Sequence, residues 1–175
     1  MFPFAWLIGL VFPACAATGA GGLPPPPPME VARIERPATP NTALAGPAVP
    51  GKYAATSAAP DLVTPIYDLP AARLFAAVHA VAAAQPRTFL AAAYPDRLQD
   101  HWVVRSATFN FPDLVTVQVL AQGADASTLV LYSRSVYGRS DLGVNLRRLH
   151  TWLAALDAAL APATRHAPTT EKDAP

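Results

Sequence analysis

Residues 99–136, QDHWVVRSATFNFPDLVTVQVLAQGADASTLVLYSRSV, decide the fold. In their first part His101, Val103, Arg105, Ala107 and Phe109 alternate with Trp102, Val104, Ser106 and Thr108, the two-residue period of a strand. Phe111-Pro112-Asp113 breaks this run. Val115, Val117 and Val119 then form one apolar face of a second strand over residues 114–121. Gln122-Gly123-Ala124-Asp125-Ala126 reads as a turn, and residues 127–136 as a third β-run. Links this short favour antiparallel pairing, because parallel neighbours need a crossover of a dozen or more residues.

The period changes on both sides of this block. Upstream, Leu74, Val78 and Val81 recur at helical spacing, with Asp68 as cap, Pro70 in the first turn and Pro86 as the stop. Residues 87–94 between helix and block read as a further strand. Downstream, Leu142, Leu146, Leu149, Leu153, Leu156 and Leu160 make one apolar stripe on a helix of about five turns. The expected fold class is α+β, an antiparallel sheet of three to four strands with two amphipathic helices packed on one face.

Composition bounds the rest. The chain has 175 residues, enough for one ordinary domain, and much of its 52% hydrophobic content is alanine, which buries little area. Most of the 20 prolines fall in the first 70 residues, where they oppose helix and sheet hydrogen bonding. Residues 1–17 hold no charge: an apolar run ends in Ala14-Cys15-Ala16, a small-residue pattern that suits a signal peptidase, although no basic residue precedes it. This reads as a signal-like or anchor segment, with Cys15 as the residue a lipoprotein would modify. Residues 18–36 include GAGGLPPPPP and read as a Pro/Gly-rich linker in polyproline II form. Residues 37–160 form a single domain whose first part, 37–67, is an irregular arm contacting it through Leu62, Val63, Ile66 and Tyr67. Residues 161–175 read as a disordered tail.

A net charge of +1 gives no electrostatic case for nucleic acid. One cysteine excludes an intrachain disulfide, and the four histidines lack metal-ligand spacing, so neither metal nor cofactor is expected. There is no G-x-S-x-G and no phosphate-binding glycine loop.

Chemistry concentrates before the last helix, in YSRSVYGRSDLGVNLRRLHTWL, residues 132–153. Asp141, Asn145, Arg148 and Trp152 share one line of that helix, so Arg148 can stack on Trp152 and reach Asn145. This string resembles the signature of the domain of unknown function 1499 family, a run of the form R-S-x-S-R-x-G-x-x-D-L-G-V-N-x-x-R. Matching positions are Ser133, Arg134, Ser135, Gly138, Asp141, Leu142, Gly143, Asn145 and Arg148; Val136 stands where many members carry a polar or basic residue. VVRSATFNFPDLVTVQVL and PNTALAGP resemble segments of proteobacterial members, and the likeness spans residues 37–156. Members often follow a leader or membrane segment, which implies an exported, periplasmic or membrane-anchored location. The family brings no activity with it.

Three readings of the segment remain open. It ties helix to sheet. Or Arg105, Arg134, Ser135, Arg139, Asp141, Asn145 and Arg148 hold an anionic ligand, with an anionic lipid or an envelope protein as partner. Or a serine of SRSVYGRSDLGVN serves a hydrolase-like enzyme, which needs an adjacent base. The expectation is a non-catalytic, envelope-associated domain with no catalytic residue assigned.

Overall fold

The computed structural model describes residues 12–47 and 58–161. In chain order the elements are β1 (Thr42–Gly46), β2 (Leu62–Val63), α1 (Ala71–Ala84), β3 (Thr88–Tyr94), β4 (Gln99–Arg105), β5 (Pro112–Ala121), β6 (Ser127–Ser135) and α2 (Val144–Leu160). The strands form one sheet in the order β2-β1-β6-β5-β4-β3. Every pair is antiparallel except β1 with β2, which is parallel.

This corrects the expected fold class: the sheet is six-stranded and mixed, not a three-to-four-stranded antiparallel one, and the fold is mostly sheet. The additional strands come from the arm. Thr42-Ala43-Leu44-Ala45-Gly46 has little β-branching and no polar alternation, so it carries no strand pattern. It becomes a strand because it is buried on both faces, with Ala43 and Ala45 in the core beneath the helices and Leu44 in a second core behind. Residues 47–61 between β1 and β2 are long enough for a parallel crossover. Of the arm's expected contacts, Leu62 and Tyr67 pack on the core, whereas Val63 and Ile66 are exposed.

The alternation of the central strands sorts the two faces. Val115, Val117, Val119, Leu129, Leu131 and Trp102 face both helices and form the main core with Leu74, Val78 and Val81 of α1. Pro70, not Asp68, precedes α1, and its carbonyl accepts from Arg73 and Leu74. On α2 the buried line is Asn145, Leu149, Trp152 and Leu156, at spacings of 4, 3 and 4. The leucine stripe is therefore rotated: Leu142 lies before the helix at 84% exposure and Leu146 is exposed at the surface. Trp152 buries more area than a leucine at that position, so the face containing it wins. Each fully buried Leu149 or Leu156 contributes about 1.5–3 kcal/mol relative to exposure.

Residues 12–37 cross the other face as a strap. Val31 and Ile34 pack there on Leu44, Val130 and Tyr132, and the proline run lies against the same side, bordering Leu114 and His101. Residues 1–11 and 162–175, where much of the signal-like segment and most of the tail were expected, lie outside the described residues.

Candidate functional site

The end of β6 places successive side chains on opposite faces of the sheet, and two polar sites result. Toward the helices, Ser133 is fully buried beside Asn145 of α2. The Ser133 hydroxyl donates to Asn145 Oδ1 at 2.6 Å and accepts from Arg148 Nη1 at 2.8 Å. Arg148 Nη1 also donates to Asn145 Oδ1 at 2.5 Å, and its Nη2 reaches Asp113 Oδ2 at 2.6 Å. The remaining amide protons of Asn145 go to the Asn41 carbonyl at 2.9 Å and to Ser135 Oγ at 3.1 Å. Asn145 thereby uses both donors and both acceptor sites of its amide. One residue joins α2 to β6 and to the segment entering β1.

The loop before α2 is shaped for this junction. Leu142 and Gly143 both have positive φ, 52° and 76°, a turn only glycine makes without steric cost. The Asp141 carboxylate accepts from the N–H of Gly143 at 2.9 Å and of Asn145 at 2.8 Å, satisfying donors at the helix start. Those N–H groups are thus taken by Asp141. Asn41 Nδ2 donates to the Gly138 carbonyl at 2.9 Å and fixes the loop from below.

Chemically this cluster holds elements together. The groups within reach of Ser133 and Ser135 are an amide and a guanidinium, and neither accepts a proton at neutral pH. His79 of α1 and His101 of β4 are engaged elsewhere: His79 Nδ1 meets buried Asp100 Oδ2 at 2.7 Å, and His101 lies on the strap face. His101 Nε2 is 3.1 Å from Gln99 Oε1 and Nδ1 is 3.0 Å from the Thr116 hydroxyl. The partners place its proton on Nε2, with Nδ1 accepting. Burial, with a smaller contribution from the Arg134 guanidinium, lowers its pKa to about 4, so it is neutral at pH 7.

On the strap face two arginines have opposite fates. Arg105 is buried and donates to the carbonyls of Gly19 at 2.6 Å, Ala14 at 2.9 Å and Gly21 at 2.6 Å. Asn110 adds bonds to the carbonyls of Cys15 and Ala17. Cys15 is itself buried there, and burial raises its thiol pKa. Further along, Tyr94 binds the Pro26 carbonyl at 2.7 Å, and Gln99 pairs with both N–H and C=O of Met29.

Arg134, in contrast, is exposed, and its guanidinium has no hydrogen bond or ion pair among the described residues. It borders a cavity of about 660 Å³ that Arg33, Arg36, Thr42, Tyr132 and Ser135 also line. It also borders two smaller cavities, about 310 and 220 Å³, beneath the proline run. Arg36 at the first cavity is paired with Asp61 at 2.9 Å, and Glu30 with Arg97. Arg33, Arg134 and Glu35 remain there without an ion pair among the described residues, leaving one net positive charge.

The seven residues singled out from sequence thus divide. Asp141, Asn145, Arg148 and Ser135 meet in the helix-face junction; Arg105 grips the strap; Arg134 opens into the cavities; Arg139 stays exposed on the loop after β6. Sequence reasoning missed Asp113, Asn41 and the strap-side lining of Arg33, Arg36 and Tyr132. Asp113 shares the parity of Val115 and Val117 and so the helix face, a signal hidden by reading Phe111-Pro112-Asp113 as a break. The others depend on the strap crossing the sheet, which no local pattern encodes. Among the described residues no cluster of three His, Cys, Asp or Glu side chains is placed to hold a metal ion, and no helix is long and apolar enough to cross a membrane.

No curated protein matches this chain. The crystal structure of TTHA0849 from Thermus thermophilus is similar at 13% identity and a TM-score of 0.33, covering 55% of this chain and 92% of that one, a likeness too slight to carry an argument. The family model described as "Protein of unknown function (DUF1499)" matches residues 34–156. That stretch runs from the strap's apolar anchor Ile34 to Leu156 of α2 and contains the whole Ser133–Asn145–Arg148 junction: the chain belongs to the DUF1499 family.

Proposed function

We propose that this protein is a non-catalytic, envelope-associated binding domain that takes an anionic small molecule at Arg134. The observation carrying this reading is the contrast among its arginines. Arg105 and Arg148 spend their donors on carbonyls and on a carboxylate of their own chain, whereas the Arg134 guanidinium has no hydrogen bond or ion pair among the described residues and borders a cavity with net positive charge. A guanidinium with free donors is the side chain best matched to a carboxylate or phosphate. The volume is within the range of small-molecule sites. In this reading Asp141, Asn145 and Arg148 hold the end of β6 so that Arg134 and Ser135 keep their place. The uncharged leader and its small-residue boundary support export to the envelope.

Thermal unfolding of the full chain with acetate, citrate and inorganic phosphate tests the binding. At least one anion is expected to raise the midpoint in the wild type and to have no effect on Arg134→Ala. Equal shifts in both proteins, or none in the wild type, would refute an anion site at Arg134. Fractionation of cells producing the full chain tests the location, and recovery in the cytosol alone would refute it.

A further inference from the structure

We infer that the ligand is a single-chain amphiphile, an alkyl carboxylate whose head meets Arg134 and whose chain lies under the proline run. The inference rests on the anion reading and adds the apolar part. Among the described residues Arg134 alone borders all three of the cavities described above. On one side of it lies the larger, charged cavity. On the other lies a trough walled by Leu23, prolines 24–28, Leu114 and Val136. Among the described residues the trough's ionisable neighbours are Arg134 itself and His101, which is uncharged at neutral pH. A guanidinium therefore marks the boundary between a charged mouth and an apolar recess.

The strap makes the recess a preformed one. It is pinned upstream where Arg105 binds the carbonyls of Gly19 and Gly21, and downstream where Tyr94 and Gln99 hold Pro26 and Met29. Between the pins, residues 22–25 make no hydrogen bond to the sheet among the described residues, so they bridge it without being laced to it. Consecutive prolines keep such a bridge extended and stiff, and they have no N–H that would need a partner over an apolar chain. Inorganic anions would fill the mouth and leave the trough in water; an uncharged hydrocarbon would leave Arg134 unused. One net positive charge at the mouth favours a monoanion, hence a carboxylate over a phosphate dianion.

Isothermal titration of the full chain with hexanoate, octanoate and decanoate, each below its micellar concentration, tests this. Hexyl phosphate and decyltrimethylammonium serve as head-group controls. Affinity is expected to rise with chain length, by at most about fourfold per methylene, and hexanoate to bind more tightly than hexyl phosphate. Arg134→Ala should weaken every carboxylate about tenfold or more. Leu23→Ser should weaken decanoate more than octanoate and octanoate more than hexanoate, flattening the chain-length dependence, and Leu23→Asp should do so more strongly. Equal affinity for all three carboxylates with Arg134 still required would overturn the amphiphile and leave the anion site standing. Tight binding of decyltrimethylammonium would overturn the head-group assignment. No binding of carboxylates or phosphates would overturn both readings.

Discussion

Ser133 and Arg134 are neighbours in β6 that face opposite sides of the sheet, and their surroundings differ in completeness. Around Ser133 every polar group has a partner: Asn145 uses its whole amide, and Arg148 closes on Asp113. Around Arg134 the strap, residues of β1, β5 and β6 and Val136 after β6 border open space, and the guanidinium has no ion pair among the described residues. A saturated polar cluster specifies one geometry and leaves nothing for a ligand. An unsaturated cation beside a cavity does the reverse. The same signature segment therefore supplies a fastening on one face and an open donor set on the other.

Breaking the fastening has the largest expected effect. Arg148 and Asp113 keep only 10% and 11% of their side-chain surface exposed, so removing one partner strands a buried charge. Arg148→Ala or Asp113→Ala is expected to cost about 3–5 kcal/mol in urea unfolding. Replacing both should cost less than the two single losses added, as coupled neighbours do. Additive losses would mean that the pair is not coupled.

Next is the pH response of the strap face. His101 has a folded pKa of about 4 against roughly 6.5 in an unfolded chain. Between these values the unfolded state binds the proton and the folded state does not. The stability present above pH 6.5 is lost as pH falls toward 4, by roughly 3 kcal/mol at most. His101→Gln has no such proton to take up, so its unfolding free energy should fall less than that of the wild type over this window. Parallel curves would contradict the assignment.

A smaller effect is expected from releasing the strap. Arg105→Met removes three donors to the carbonyls of Ala14, Gly19 and Gly21. About 2 kcal/mol of local stability should go with them. Hydrogen exchange should speed up over residues 14–22 while the amides of α2 stay protected. Loss of protection in both regions would show that the strap and the helix face unfold as one unit.

The sequence made the helix face readable in part and the strap face hardly at all, for physical reasons. β4, β5 and β6 alternate strongly because each has one face in the main core. Leu74, Val78 and Val81 mark α1 for the same reason. β1 was illegible because Ala43 and Ala45 are selected for close approach to the helices, not for strand propensity. The helix stripe misled because Trp152 and a fully bonded Asn145 can be buried as deeply as leucine. The signature residues were identifiable from their pattern, but their division between two faces depends on strand parity at Ser133 and Arg134. The strap's role could not be read, since its grip runs through backbone carbonyls of small residues and prolines, which any sequence would offer.

The most direct test of the account compares the thermal unfolding midpoints of Arg134→Ala and Arg148→Ala with the wild type in ligand-free buffer. An exposed guanidinium without partners should contribute within about 0.5 kcal/mol, so Arg134→Ala is expected to melt with the wild type while Arg148→Ala melts many degrees lower. An Arg134→Ala midpoint as low as that of Arg148→Ala would contradict the account, because it would make Arg134 another part of the fastening and not a residue held free for a ligand.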